Sequence, residues 1–74
     1  MHETTYDEIS FADQKVFEAN DAVSNQISLV FRLKECGIDA KGAEDALARL
    51  HREQRQWTEY RTLLRIRKGM TERV

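Results

Sequence analysis

The feature that most constrains the fold is a seven-residue repeat in the first half of the chain. One series of β-branched residues recurs at every seventh position and consists of Ile9, Val16, Val23 and Val30. A second series follows each of these by three positions and consists of Ala12, Ala19, Gln26 and Leu33. This spacing lines up one stripe along an α-helix that pairs with another helix. It outweighs the local strand pattern of residues 27–31, because the repeat continues through flanks rich in glutamate, glutamine and alanine.

A sharp corner is predicted near the middle of the 74 residues, which include no proline. Gly37 suits the position just past a helix end, because glycine takes a left-handed backbone without steric cost. Asp39 is a good N-cap for a following helix, and Ile38 is placed to pack on Ala43. Two long helices joined by so short a turn lie antiparallel. We therefore predict an all-α fold, a two-helix antiparallel hairpin of the coiled-coil type.

Local signals also predict where each segment begins and ends. Helix 1 has two candidate starts, the capping boxes Thr5-x-x-Glu8 and Ser10-x-x-Asp13. Gly69 is expected to end helix 2 in the way that Gly37 ends helix 1. The predicted segments are a disordered N-terminus at 1–4, a hairpin at 5–69 with helix 1 at about 7–36, a turn at 37–39 and helix 2 at about 40–68, and a frayed C-terminus at 70–74.

The apolar stripe of helix 2 is less regular than that of helix 1. It consists of Ala43, Leu47, Leu50, Gln54, Trp57, either Tyr60 or Arg61, and Leu64. Folding the chain back at the corner sets Ala19 opposite Trp57 and Ala12 opposite Leu64. Small side chains then face large ones, as interdigitating layers require.

Polar residues fit the same antiparallel arrangement. Gln26 and Gln54 interrupt the two stripes one turn apart, so they are candidates for a shared polar layer. The acidic residues of the first half of helix 1 are Asp7, Glu8, Asp13, Glu18 and Asp21. The basic residues of the last half of helix 2 are Arg61, Arg65, Arg67 and Lys68. These two segments are neighbours in a hairpin, and their charges disfavour the parallel alternative.

More apolar residues are present than one hairpin can cover. Phe17, Ile27 and Phe31 widen the stripe of helix 1 on one flank, Leu29 lies on the other, and helix 2 adds Leu63 and Ile66. A chain of this length has a thin core, and an exposed apolar strip usually marks an interface. We expect a homodimer that forms a four-helix bundle. The alternative is a monomer that docks on another protein. Either way, the predicted function is that of a small interaction or regulatory module.

Several other function classes find no support in the residues. Cys36 is the only cysteine, so no intrachain disulfide is possible, and a lone cysteine suits a reducing compartment. His2 and His51 have no second ligand at metal-binding spacing. The chain carries none of the common catalytic or phosphate-binding motifs. We therefore expect no enzymatic activity, no metal and no cofactor. The absence of a signal-peptide pattern and of a long apolar run predicts a cytoplasmic protein without a membrane partner.

Nucleic-acid binding is the alternative function that the sequence favours most. The arginines and lysine of helix 2 form two stripes, one of Arg49, Arg52 and Arg55, and one of Arg61, Arg65 and Lys68. Cationic stripes beside Trp57 and Tyr60 are suited to phosphates and stacked bases. The competing interpretation is a solvated face whose charge is neutralised by the acidic start of helix 1.

The corner and its flanks resemble a group of short, uncharacterised helical-hairpin proteins of alphaproteobacteria. The matching residues are Arg32-Leu33, Gly37-Ile38-Asp39, Ala43-Glu44, Leu47, Leu50 and Trp57-Thr58-Glu59-Tyr60-Arg61. The resemblance covers residues 32–61, whereas residues 1–20 depart from it. It implies a helical hairpin and carries no activity with it.

Overall fold

A computed structural model describes residues 6–72, and describes the side chains of residues 7–70. It consists of α1, Tyr6–Glu35, and α2, Lys41–Glu72. The two helices, of 30 and 32 residues, pack side by side in a rod of 59 × 15 × 15 Å. The predicted all-α antiparallel hairpin is confirmed. Residues 27–31 lie inside α1, so the helical repeat prevails over the local strand pattern.

The end of α1 is closed by a Schellman motif centred on Gly37. The Gly37 N–H donates to the carbonyl of Lys34 at 3.1 Å, and the Ile38 N–H donates to the carbonyl of Leu33 at 2.9 Å. These bonds satisfy carbonyls that the end of a helix leaves without partners. Gly37 adopts φ 71°, a left-handed conformation that carries no steric penalty for glycine. The prediction for this residue is confirmed.

The start of α2 is held by the Asp39 side chain. Its carboxylate accepts a hydrogen bond from the N–H of Lys41, the first residue of α2, at 3.0 Å. The Ala40 carbonyl accepts from the Glu44 N–H at 2.8 Å, which begins the helical ladder. Asp39 therefore caps α2 as predicted, because it satisfies one of the amides that have no partner within the helix. Ile38 lies exposed at the corner.

Two predicted helix ends need correction. α1 begins at Tyr6, so Ser10 lies within the helix and does not start it. The other candidate cap, Thr5, and the N-terminal segment 1–4 lie outside the described residues. α2 continues through Gly69 to Glu72, so the prediction that Gly69 ends the helix is wrong. The frayed C-terminus at 70–74 stays a prediction, and residues 73–74 of it lie outside the described residues. A glycine inside a helix costs only about 0.5–1 kcal/mol, and no proline follows to stop the helix.

The core lies along the seam between the helices and is made of small side chains. The buried residues are Ala12, Val16, Val23, Val30, Ala40 and Leu64. Every residue of the two predicted heptad series is buried or half-buried, which confirms that stripe. In α2 the seam takes Arg61, which is half-buried, and leaves Tyr60 exposed. Ala12 and Leu64, the predicted partners, are 0 % and 2 % exposed.

Two glutamines cross the seam, and each bonds to a different partner. Gln26 donates its side-chain amide to the carbonyl of Ala43 at 2.9 Å. Gln54 donates to the Asn20 side chain at 2.7 Å. The predicted polar layer shared by the two glutamines is therefore wrong. The reason is that each amide has an acceptor of its own on the opposite helix, at 2.9 Å for Gln26 and 2.7 Å for Gln54.

We predict that Gly37→Ala lowers the free energy of unfolding by about 1 kcal/mol, because the Cβ of alanine makes the left-handed backbone conformation sterically unfavourable. Apart from the adjacent residues of the chain, no atom lies within 4 Å of a Cβ placed there, so the expected loss comes from the backbone conformation. Gly42→Ala is the matched control. Its site is helical and equally open, so it should gain up to about 1 kcal/mol. Urea denaturation followed by circular dichroism measures both, and equal effects of the two substitutions would contradict the assignment.

Candidate interaction surfaces

The first surface, called the α1 flank, consists of Phe17, Ile27 and Phe31. Phe17 is 72 % exposed and Phe31 is 61 % exposed, and Ile27 is exposed as well. Phe17 and Phe31 lie two heptads apart on one line along α1, and Ile27 lies one turn before Phe31. The structure thus keeps all three predicted residues on the outside of the hairpin, on one side of α1.

The second surface, called the α2 patch, consists of Leu63 and Ile66, with Met70 one turn further on. All three are exposed. Their neighbour Leu64 is buried against α1, so they lie on the outer side of α2. The five predicted interface residues therefore form two patches, one on each helix. The α1 flank extends toward the corner, whereas the α2 patch lies at the open end of the rod.

A cluster of aromatic rings lies on the other side of the hairpin from the α1 flank. Trp57 makes edge-to-face contacts with Phe11 and with Tyr60, each at 6.0 Å between ring centroids. The Lys15 ammonium lies 5.4 Å from the centroid of Phe11 and 5.9 Å from that of Trp57. Such contacts each add about 0.5–1.5 kcal/mol to packing. The sequence signal for this cluster is the spacing of Phe11 and Lys15, one helical turn apart.

Beside this cluster lies an open groove of about 250 Å³. It is lined by Lys15, Glu18, Ala19, Ala22, Leu50, Glu53 and Trp57. Ala19 and Trp57 share the groove, as expected from their predicted opposition. The groove exists because two alanines leave space beside the indole ring. It is shallow and charged at its rim.

The cations of α2 fall into two groups with different surroundings. Arg65 donates to the Asp13 carboxylate at 3.0 Å, and Arg61 lies 3.8 Å from the same carboxylate oxygen. The acidic start of α1 therefore neutralises part of the stripe formed by Arg61, Arg65 and Lys68, and Lys68 is itself half-buried. The other stripe, formed by Arg49, Arg52 and Arg55, is exposed along its length.

The remaining candidate residues are those considered for metal binding and redox chemistry. Among the residues that the structure describes, no group of three or more histidine, cysteine, aspartate or glutamate side chains is placed to hold a metal ion. Cys36 is exposed and forms no disulfide. His51 lies 3.3 Å from the Gln54 side-chain oxygen, which places it on the flank of the seam. Within residues 6–72 neither helix has an apolar stretch long enough to cross a membrane.

Comparison with known proteins gives no family assignment. No family model, curated protein or solved structure matches the chain. The resemblance of the corner to alphaproteobacterial hairpin proteins stays a prediction. Function is therefore inferred from the surfaces described above.

We predict that Arg61→Met raises the free energy of unfolding by about 1 kcal/mol. The Arg61 Nε is buried without a hydrogen-bond partner, and an unpaired buried donor costs about 1–3 kcal/mol. Methionine keeps the apolar stem and removes this donor. The pair with Asp13 that is lost is partly exposed and worth about 0.2–1 kcal/mol.

Arg65→Met is the control for this substitution. Arg65 bonds to the same carboxylate but its side chain is 56 % exposed, so its replacement should lower stability by at most about 1 kcal/mol. Urea denaturation at fixed protein concentration compares the two variants. If Arg61→Met lost more stability than Arg65→Met, the prediction would be wrong, and the ion pair of Arg61 with Asp13 would outweigh the cost of the buried Nε.

Proposed function

We propose that this chain is a small, non-enzymatic helical module whose function is to bind, first of all, a second copy of itself. In the proposed homodimer two hairpins pack into a four-helix bundle through the α1 flank. The observation that carries the proposal is the unequal distribution of side-chain size. The seam of the hairpin buries alanine, valine and one leucine, whereas Phe17 and Phe31 lie outside it.

This distribution has a clear energetic consequence. A buried valine or leucine contributes roughly 1.5–3 kcal/mol, and no large side chain of the described residues is completely buried within the hairpin. A phenylalanine side chain buries about 150–250 Å² when it is covered. In a symmetric dimer every residue of the interface occurs twice, so the α1 flank places four phenylalanine rings in one new core. Association therefore supplies the apolar burial that one hairpin lacks.

A larger protein partner is the competing occupant of the same surface. It would cover the same phenylalanines, because these are the exposed aromatic residues on that side of α1. The two possibilities differ in the behaviour of the purified chain. A self-associating chain is dimeric alone, whereas a chain built for another protein stays monomeric until that protein is added.

We predict that light scattering gives twice the 8.7 kDa chain mass, and that a Phe17→Asp, Phe31→Asp variant gives the mass of one chain. Covering the α1 flank with a second copy would then remove two carboxylates from water, which carries a large cost in free energy. Leu29→Asp is the matched control, because Leu29 is an exposed apolar residue on the opposite side of α1. The control should remain dimeric. A wild-type chain that is monomeric across a dilution series sinks the proposal of self-association.

Nucleic-acid binding is the second candidate function, and one observation favours it. Arg49, Arg52 and Arg55 remain exposed on consecutive turns of α2. An Arg49→Gln, Arg52→Gln, Arg55→Gln variant tests this stripe in a pull-down with mixed RNA and DNA. Binding that falls steeply with salt and is lost in the variant would support it. No retention of the wild type at low ionic strength removes this candidate.

A further inference from the structure

We infer that the second copy docks antiparallel on α1, with the two helices crossing at Ser24, so that Phe17 of each chain packs on the partner's Phe31. This inference rests on the proposed self-association and specifies its geometry. It makes the partner a second copy of this chain in one orientation and one register.

The positions of the two phenylalanines define the crossing point. Ser24 lies seven residues after Phe17 and seven before Phe31, so the three side chains share one line along α1. A two-fold axis perpendicular to α1 at Ser24 places the partner's Phe17 beside Phe31 and the partner's Phe31 beside Phe17, each about 10 Å from the axis. Ser24 is small and exposed, which allows two helices to approach to an interaxial distance of about 8–10 Å. Ile27 lies one turn from the axis and is covered at the crossing.

The aromatic residues alone do not choose between orientations. A parallel pair would place each phenylalanine on its own counterpart, with equal burial of apolar surface. The choice depends on charge, because like charges placed together across an interface disfavour that arrangement.

Charge is divided along α1. Residues 7–21 contain five carboxylates and one lysine, whereas residues 22–35 contain Arg32, Lys34 and Glu35. In a parallel pair the two acidic halves would lie side by side. In the antiparallel pair each acidic half lies along the partner's less acidic half. Individual exposed pairs are worth little, about 0.2–1 kcal/mol, but the repulsion between two acidic halves acts on one orientation only.

The neighbouring helix does not carry this preference. Gln26 bonds to Ala43, and Lys34 forms an ion pair with Glu44 at 3.2 Å, so the start of α2 lies beside the second half of α1. Gln54 bonds to Asn20, so the exposed Arg52 and Arg55 lie beside the acidic half of α1 and away from the corner. The preference for the antiparallel pair therefore depends on the charges of α1.

Disulfide trapping tests both the surface and the orientation, in a Cys36→Ser background. Ser24→Cys places a thiol on the proposed axis, where the two copies meet. Ser10→Cys places a thiol on the same line of α1, but fourteen residues from the axis. The two Ser10 copies are then about 42 Å apart in the antiparallel pair and adjacent in a parallel one. A disulfide requires Cα atoms within about 7 Å.

The expected result is that Ser24→Cys forms crosslinked dimer under mild oxidation at least about tenfold faster than Ser10→Cys, because the dimer holds its thiols at high effective concentration. Adding Phe17→Asp and Phe31→Asp to Ser24→Cys should abolish the rapid crosslinking. Rapid crosslinking of both single variants would overturn the antiparallel orientation.

Failure of the inference and failure of the proposed function give different results. A chain that is dimeric by light scattering, but crosslinks at neither position, self-associates through another surface, and the inferred register is then wrong. A chain that is monomeric by light scattering removes the self-association itself. Oxidation of the wild-type chain is an independent test of the orientation. The two copies of Cys36 lie about 36 Å apart in the antiparallel pair, so they should not form a disulfide.

Discussion

The left-handed backbone of Gly37 is the constraint on which the rest of the hairpin depends. Two hydrogen bonds from this turn close α1, and the Asp39 carboxylate opens α2 two residues later. Because the connection is short, the point at which α1 ends decides which residue of α2 faces each residue of α1. The contact of Asp13 with Arg65, at the far end of the rod, follows from a backbone angle at the corner. A small shift at Gly37 would displace every pair along the seam.

That register produces a hairpin with small side chains inside and large ones outside. Valines of α1 and Leu64 fill the seam, and Ala12 is completely buried in it. Because small side chains occupy most of the buried positions, the phenylalanines lie on the flanks. On one side Phe11, Lys15 and Trp57 cover each other within the chain. On the other side Phe17 and Phe31 are left exposed, and this asymmetry is the physical basis of the proposed dimer.

The charged residues of this molecule select the orientation of its helices and contribute little to its stability. The Asp13 carboxylate serves two arginines at once, and one of them leaves a buried nitrogen without a partner. Such an arrangement adds little stability, but it disfavours a parallel pairing of α1 and α2. The same division of charge along α1 acts a second time on a docking copy. One pattern thus sets the direction of the chain within the hairpin and, in the proposed bundle, between hairpins.

The sequence by itself determined the features that depend on local backbone preferences and on periodicity. The heptad of α1, the left-handed Gly37 and the capping Asp39 were all predictable, because each depends on residues within a turn or two of chain. The excess of apolar residues was predictable for the same reason. Tertiary structure alone decided the partners of Gln26 and Gln54, the choice of Arg61 over Tyr60 in the seam, and the division of the apolar surplus into two patches. These depend on how far a side chain reaches across the seam, a distance that the sequence does not contain. At Gly69 the local sequence signal was misleading. Glycine ends α1 at Gly37, but Gly69 lies inside α2, where the continuing helix outweighs a cost of about 1 kcal/mol.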